Sequence, residues 1–170
     1  MSKYYYLAAS LPSLKFGEEL PVSAERFLYE CRKWMEEDEL GAVMSGMADT
    51  GETPEGGPRA LKEWKDFDRD LKHAIAGVRK AAKAGGKKGV PEELKAIFGA
   101  EDPLAAEIAL ERKRWDFLES IRGSYQFDIN WLVLYGAKLK IAERLRVFDK
   151  DKGESVFYNL CEVTYEQSQG

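Results

Sequence analysis

The sequence predicts an all-α fold, a single bundle of about five to seven helices. Three observations indicate it. Residues 124–148 are apolar on both sides at helical spacing, and residues 58–83 are apolar on one side only. At 170 residues the chain fits one domain, since folding at that size hides roughly 70% of the unfolded surface. Each tryptophan stands on the apolar stripe of a different predicted helix, where shared burial would hold those helices together: Trp34, Trp64, Trp115 and Trp131.

The first predicted elements are short. Residues 4–9, YYYLAA, fit either a short strand or a buried turn of helix, because periodicity cannot decide over so few residues. Ser23 is a good N-cap for a helix whose apolar face carries Cys31, so we expect Cys31 to be a buried, unreactive thiol. The acidic run at 36–39 is expected to open the next helix, which runs to Met47, since negative charge stabilises a helix N-terminus.

Residues 58–83 form the clearest amphipathic helix. Its apolar residues step by three or four positions, and its other face carries charges of alternating sign, which is typical of an exposed surface. Polar, glycine-containing loops flank it at 48–58 and 84–90, and both loops are expected to be mobile. The stripe expected to face the core consists of Leu61, Trp64, Phe67, Leu71, Ile75, Val78 and Ala82.

A second long helix is predicted after a short one at 91–98. The aspartate-proline pair at 102–103 is a strong start signal, and we expect this helix to end near Arg122. Glu107 and Glu111 share one of its faces, as a catalytic or metal-binding carboxylate pair would. Because basic residues are close in sequence and no histidine completes a metal shell, surface ion pairing is the expected role of the two glutamates.

The stretch 124–148 is expected to be the central helix, packed on both sides. Its apolar run is far shorter than the ~20 residues of a bilayer crossing, which makes it a core helix. Residues 149–153, DKDKG, are expected to form a turn, since the glycine comes too early for a calcium loop and the bidentate acid is missing. A last helix is expected at 155–161 and a frayed end at 166–170, which leaves a domain of 1–165.

Composition argues against most chemistry. A net charge of -4 and a pI near 5.3 disfavour nucleic acid as a partner. The chain has a single histidine, His73, and it lies in a charged segment where a solvent-exposed position is expected. Because nucleophilic triads, histidine-rich zinc sites and di-iron sites all need histidine in a defined geometry, these classes of site are excluded. No cofactor motif is present, so we expect no enzyme activity, no cofactor and no metal. Two distant cysteines and an amino terminus without a signal segment predict a cytoplasmic protein, with peripheral contact at the inner face of the plasma membrane as an alternative.

Eight residues are candidates for a binding surface. Asp128, Asn130 and Lys138 are polar where the central helix is otherwise apolar. They mark an interface or, with Tyr135, the pocket of a small enzyme that uses carboxylate, tyrosine and lysine groups, although such residues are usually satisfied by hydrogen bonds. A cation cluster near the end of the helix at 58–83 either stabilises that helix's C-terminus or contacts an anion or lipid headgroup. This cluster comprises Arg79, Lys80, Lys83, Lys87 and Lys88.

Two stretches resemble known families. Residues 3–40, KYYYLAASLPSLKFGEELPVSAERFLYECRKWMEEDEL, resemble a small uncharacterised bacterial family encoded in V/A-type ATPase operons. They are also similar to the start of the C subunit of the rotary V/A-type ATPases, the d subunit of eukaryotes, in the pattern of Leu20, Phe27, Leu28, Cys31, Asp38 and Leu40. Residues 127–136, FDINWLVLYG, resemble the Asp-Asn segment of the same family, with its apolar run and glycine, through Asp128, Asn130, Leu132, Leu134 and Gly136.

The resemblance implies a structural role in a multisubunit ATPase and no catalytic activity. The C subunit is an all-helical, non-catalytic socket that sits on the proteolipid ring and receives the central stalk. By resemblance, the chain is expected to be a structural or interaction subunit, or an assembly factor, of a bacterial V/A-type ATPase that docks by packing on stalk or ring subunits. Because the chain is much shorter than the three-lobed C subunit, it would supply at most part of that socket.

Overall fold

The computed structural model describes residues 3–49, 56–85 and 89–167, and it describes side chains as far as residue 148. This part of the chain contains helices and no strand, so the predicted all-α bundle is confirmed, and the stretch YYYLAA is helical from Tyr5 onwards. A 3-10 turn, Glu92–Leu94, leads into α5. The helices are α1 (Tyr5–Ser10), α2 (Ala24–Arg32), α3 (Glu37–Met47), α4 (Arg59–Lys83), α5 (Lys95–Phe98), α6 (Pro103–Arg122) and α7 (Ile129–Gln167).

The amino-terminal half of α7 is the centre of the bundle. It packs against α2, α3, α4 and α6, which confirms that a helix apolar on both sides is covered on both sides. Two glycines allow α3 and α7 to approach closely: a Cβ on Gly46 would lie 2.9 Å from Val133 Cγ1, and one on Gly136 would lie 3.0 Å from Met47 Cγ. The buried residues of this half include Leu132, Val133, Leu134, Tyr135, Ala137, Lys138, Leu139, Ile141 and Ala142.

The helix starts follow from their capping side chains. Ser23 accepts a hydrogen bond from the backbone N–H of residue 26, and Asp102 accepts one from the N–H of residue 105 at 2.7 Å, so both predicted starts are confirmed. At α3 the carboxylate of Glu39 accepts from the N–H of Glu36 at 2.9 Å, which completes a capping box in the predicted acidic run.

The apolar stripe of α4 serves two clusters of buried residues. Leu61 and Trp64 join the main core with α7, whereas Leu71 and Ile75 join a smaller cluster with Ile97 of α5. The predicted stripe continues further than the burial does, since Ala82 is exposed. The last two turns of α4 therefore leave the core and carry their charges along a surface.

Both predicted limits of the central helix need correction. The helix begins at Ile129, because Phe127 has a φ of 51°, a left-handed conformation that no α-helix accommodates. The turn predicted at 149–153 and the separate helix at 155–161 are wrong, since α7 continues to Gln167. Aspartate and lysine have ordinary helix propensities and one glycine costs about 1 kcal/mol, which is too little to end a helix. Of the end predicted to fray, 168–170 lies outside the described residues.

One tryptophan does not join the core. Trp34 is 42% exposed, whereas Trp64 and Trp115 are buried and Trp131 is half-buried against the core. The expected stripe fails at Trp34 because α2 ends at Arg32, two residues earlier, and the chain turns there to begin the capping box of α3. Of the two loops predicted to be mobile, residues 50–55 and 86–88 lie outside the described part of the chain.

Candidate functional site

Asp128 and Asn130 close the amino-terminal ends of two helices. One carboxylate oxygen of Asp128 accepts from the backbone N–H of Trp131 at 2.9 Å, and the other accepts from the Asn130 side-chain amide at 3.0 Å. The amide oxygen of Asn130 in turn accepts from the backbone N–H of Ala60 at 3.0 Å, which joins the start of α4 to the start of α7. These contacts explain why polar residues are tolerated at this end of an apolar helix.

Lys138 lies further along α7, about 15 Å from Asp128 at 1.5 Å per helical residue, so the structure does not bring these two candidates together. Its side chain is 3% exposed, forms an ion pair with Glu119 of α6, and stands 4.3 Å from the centre of the Trp115 ring. Burial lowers the pKa of the Lys138 ammonium, although its hydrogen bond to Glu119 acts in the opposite direction. Tyr135 and Lys138 share a cavity wall, and Asp128 does not line that cavity.

An aromatic groove of about 360 Å³ lies between α1, the segment after it and the start of α7. A continuous series of rings lines and borders it, with centroids 5.7, 5.5, 5.6 and 5.3 Å apart from Tyr6 through Tyr5, Phe127 and Trp131 to Tyr135. The series runs from the surface to the core, since Tyr6 is 64% exposed and Tyr135 only 6%. The groove is lined by Ala8, Ala9, Leu11, Pro12, Ser13, Leu14, Arg122, Phe127, Trp131, Tyr135 and Lys138.

The buried end of the aromatic groove is fixed by hydrogen bonding. Tyr135 donates its hydroxyl hydrogen to the carbonyl of Pro12 at 2.8 Å, and burial raises the pKa of Tyr135 to about 12. At the outer end, the left-handed backbone of Phe127 is a conformation that costs a non-glycine residue on the order of 1 kcal/mol or more. Its ring contacts with Tyr5 and Trp131 hold it there.

The aromatic groove also brings together two stretches that are far apart in the sequence. α1 and the residues after it belong to the stretch 3–40, and Phe127, Trp131 and Tyr135 belong to the stretch 127–136. They meet again in the core, where the rings of Phe27 and Tyr135 are 5.2 Å apart. Sequence spacing could not place them together, because helix periodicity says nothing about which helices are neighbours.

A second and larger cavity, the cationic cleft, lies between α4, α5, α6 and α7 and has a volume of about 910 Å³. It brings together three of the predicted cations, Arg79, Lys80 and Lys83, whereas Lys87 and Lys88 lie outside the described residues. The remaining wall is part charged and part apolar: Lys72, Ile75, Ala76, Ile97, Ala106, Glu107, Leu110, Arg114, Arg144 and Phe148.

A buried network of charges supports the cationic cleft, and sequence reasoning missed it. Glu111 is 1% exposed and its Oε1 accepts from Arg114 Nη1 at 2.7 Å and from Arg144 Nη1 at 2.9 Å. Arg114 also donates from Nε to Asp68 at 2.8 Å, and Arg144 donates from Nη2 to Asp49 at 2.8 Å. The predicted ion pairing is therefore confirmed for Glu111, but its predicted surface position is wrong, whereas Glu107 is exposed.

The signal for this network was present in the sequence. Asp68 stands between Trp64 and Leu71 on the apolar stripe of α4, and Glu111 stands on the apolar stripe of α6. A carboxylate on a buried stripe requires a cation beside it, because an unpaired buried charge is far too costly. Two such positions on two helices indicate a shared basic partner, which the structure identifies as Arg114.

Within the described residues, no three side chains of the types His, Cys, Asp and Glu are placed to hold a metal ion. None of the described helices is long and apolar enough to cross a membrane. In comparisons with known proteins, the chain matches no family model, no curated protein and no solved structure.

Proposed function

We propose that this protein is a non-catalytic interaction subunit or assembly factor of a bacterial V/A-type rotary ATPase, similar in role to part of the C subunit. The observation that supports the proposal is the aromatic groove, where the two stretches resembling that family meet on one face of the bundle.

The groove has the composition of a protein docking surface. Aromatic residues are enriched at interface centres because they bury a large area at a small entropy cost. Here Tyr5, Tyr6 and Phe127 are 41%, 64% and 37% exposed, and they lead into the half-buried ring of Trp131. α7, which carries Trp131, is fixed by packing on four helices, so this part of the surface is preorganised and loses little entropy on binding.

The partner follows from the resemblance. It belongs to the central stalk or to the proteolipid ring, and the contact transmits force or guides assembly by packing, with no bond made or broken. Exposed rings at the groove require an apolar partner surface, and Arg122, which is 45% exposed at its edge, favours a carboxylate on that surface.

The test is the co-purification of identified ATPase subunits. Tagged protein is recovered from cells that express the complete ATPase, and stalk and ring subunits are quantified by mass spectrometry. Tyr6→Asp places a charge on the outermost and most exposed ring of the series that borders the groove, and should reduce recovery of these subunits at least about tenfold. Tyr29→Asp makes the same change at a tyrosine that is 51% exposed on α2, outside the groove, and should leave recovery unchanged.

Two results would contradict the proposal. Recovery of the protein without stalk or ring subunits, in cells where those subunits are present, would exclude stable docking. Equal recovery with Tyr6→Asp and Tyr29→Asp would show that binding does not use the aromatic groove. Both residues are exposed, so unchanged thermal unfolding of the two variants confirms that the comparison reports on docking.

A further inference from the structure

The cationic cleft carries a surplus of positive charge in a protein of net charge -4. Three of its cations form ion pairs with carboxylates that do not line the cleft: Lys72 and Arg114 pair with Asp68, and Arg114 and Arg144 share Glu111. The other three, Arg79, Lys80 and Lys83, form no ion pair with any residue whose side chain the structure describes. Among the described side chains of the wall and their ion-pair partners, six cations are set against four carboxylates, Glu107 on the wall and Asp49, Asp68 and Glu111 behind it, which leaves a surplus of two positive charges.

The surplus lies beside an apolar wall. Arg79, Lys80 and Lys83 extend from the last two turns of α4 and are exposed. Ile75 and Ile97, which are 7% and 8% exposed, form the inner side of the same cavity, together with the half-buried Leu110 and Phe148. A ligand that fills this cavity must therefore present negative charge to one part and hydrocarbon to the other.

We infer that the cationic cleft binds an amphiphilic anion, a phosphate monoester headgroup attached to an alkyl chain. A phosphate monoester carries a charge of about -1.5 to -2 at pH 7, which matches the two uncompensated positive charges. The volume of about 910 Å³ lies within the range of ligand cavities and is larger than a phosphate alone requires. The inference does not rest on the proposed docking role, because the aromatic groove and the cationic cleft share no wall residue.

Binding of defined probes to the purified full chain tests this inference. Isothermal titration compares dodecyl phosphate, hexyl phosphate and inorganic phosphate, each below its micelle concentration, with dodecyl trimethylammonium as the cationic counterpart. Dodecyl phosphate should bind most tightly, since each fully buried methylene strengthens binding about fourfold. Hexyl phosphate should bind at least about tenfold more weakly, inorganic phosphate more weakly still, and the cationic amphiphile should not bind.

A pair of matched variants locates the site. Arg79→Gln/Lys83→Gln removes two charges from the cleft and should weaken dodecyl phosphate binding about tenfold or more. Arg32→Gln/Lys62→Gln removes two exposed charges elsewhere and should bind as the wild type does. All four residues are exposed, so both variants should fold, as circular dichroism would verify.

Vesicles distinguish the two sources of such a ligand. Sedimentation with vesicles of phosphatidic acid in phosphatidylcholine, abolished by Arg79→Gln/Lys83→Gln and by free dodecyl phosphate, identifies a membrane lipid. Binding of the free amphiphile without sedimentation identifies a small-molecule ligand. Equal binding of dodecyl phosphate by the two variants, equal binding of both amphiphiles, or no binding of dodecyl phosphate would each overturn the inference.

Discussion

Changing Glu111 to glutamine tests whether the buried charge network holds the bundle together. The carboxylate of Glu111 is the common acceptor for Arg114 and Arg144, and the substitution keeps its shape while removing its charge. The side chain of Arg114 is 8% exposed and cannot regain water, whereas that of Arg144 is 38% exposed and can. The cost is therefore carried mainly by one buried guanidinium, which keeps Asp68 as its remaining partner.

The magnitude follows from that geometry. Breaking a buried ion pair by removing one partner costs about 3–5 kcal/mol. Because Arg114 keeps one carboxylate and glutamine still accepts a hydrogen bond, we expect the lower end, about 3 kcal/mol. With a urea dependence of about 2 kcal/mol per molar, the midpoint of urea unfolding should fall by about 1.5 M. Glu107→Gln, one turn earlier on α6 and exposed, should change the stability by less than about 0.5 kcal/mol.

A double variant separates the charge from the packing. Glu111→Gln/Arg114→Met removes both buried charges and leaves Lys72 paired with Asp68 and Arg144 paired with Asp49. We expect it to be more stable than Glu111→Gln alone, because the buried guanidinium that has lost one of its two carboxylates is removed, while Asp68, which loses Arg114, still pairs with Lys72 at 2.6 Å. Equal midpoints for Glu111→Gln and Glu107→Gln, or strictly additive effects in the double variant, would refute the reasoning.

Two further predictions concern the packing of α3 and its capping box. Gly136→Ala should destabilise the fold by about 1–3 kcal/mol, since its Cβ would lie 3.0 Å from Met47. At Gly77 a Cβ meets open space, so Gly77→Ala should stabilise α4 by about 0.5–1 kcal/mol. Similar midpoints of urea unfolding for the two variants would contradict this prediction. The hydrogen bond from Lys3 lowers the pKa of Glu39 from 4.5 to about 2. The stabilisation that the ionised Glu39 gives the fold is therefore complete above pH 4.5 and is lost as the pH falls towards 2. The thermal unfolding temperatures of the wild type and of Glu39→Gln should converge as the pH approaches 2.

Much of the fold could be predicted because its determinants are local. The capping residues Ser23 and Asp102 act within three positions of themselves, and the stripe of α4 is a property of one helix. The charge network could not be predicted in the same way, since Arg114 and Asp68 are 46 positions apart. The predicted burial of Trp34 was wrong for a related reason. Trp34 lies on the apolar stripe of α2 only if that helix continues past Arg32, but α2 ends there because the capping box of α3 begins four residues later.

The same limit applies to the two surfaces. Sequence could identify Arg79, Lys80 and Lys83 as a cluster, since they lie on one helix, but not Arg144, which reaches their cleft from α7. The rings of the aromatic groove come from two parts of the chain separated by more than a hundred positions, and only the folded bundle shows that they form one surface.

The charge network affects both the stability of the bundle and the positive charge of the cationic cleft, and it affects them in opposite directions. The carboxylate of Glu111 stabilises the bundle by neutralising Arg114 and Arg144, and by doing so it also limits the positive charge that the cleft presents. A variant without that carboxylate should be less stable and yet more attractive to an anion, because the surplus charge of the cleft rises from two to three. Buried acids placed behind surface cations therefore allow a protein of net negative charge to keep one positive surface at a tolerable cost in stability.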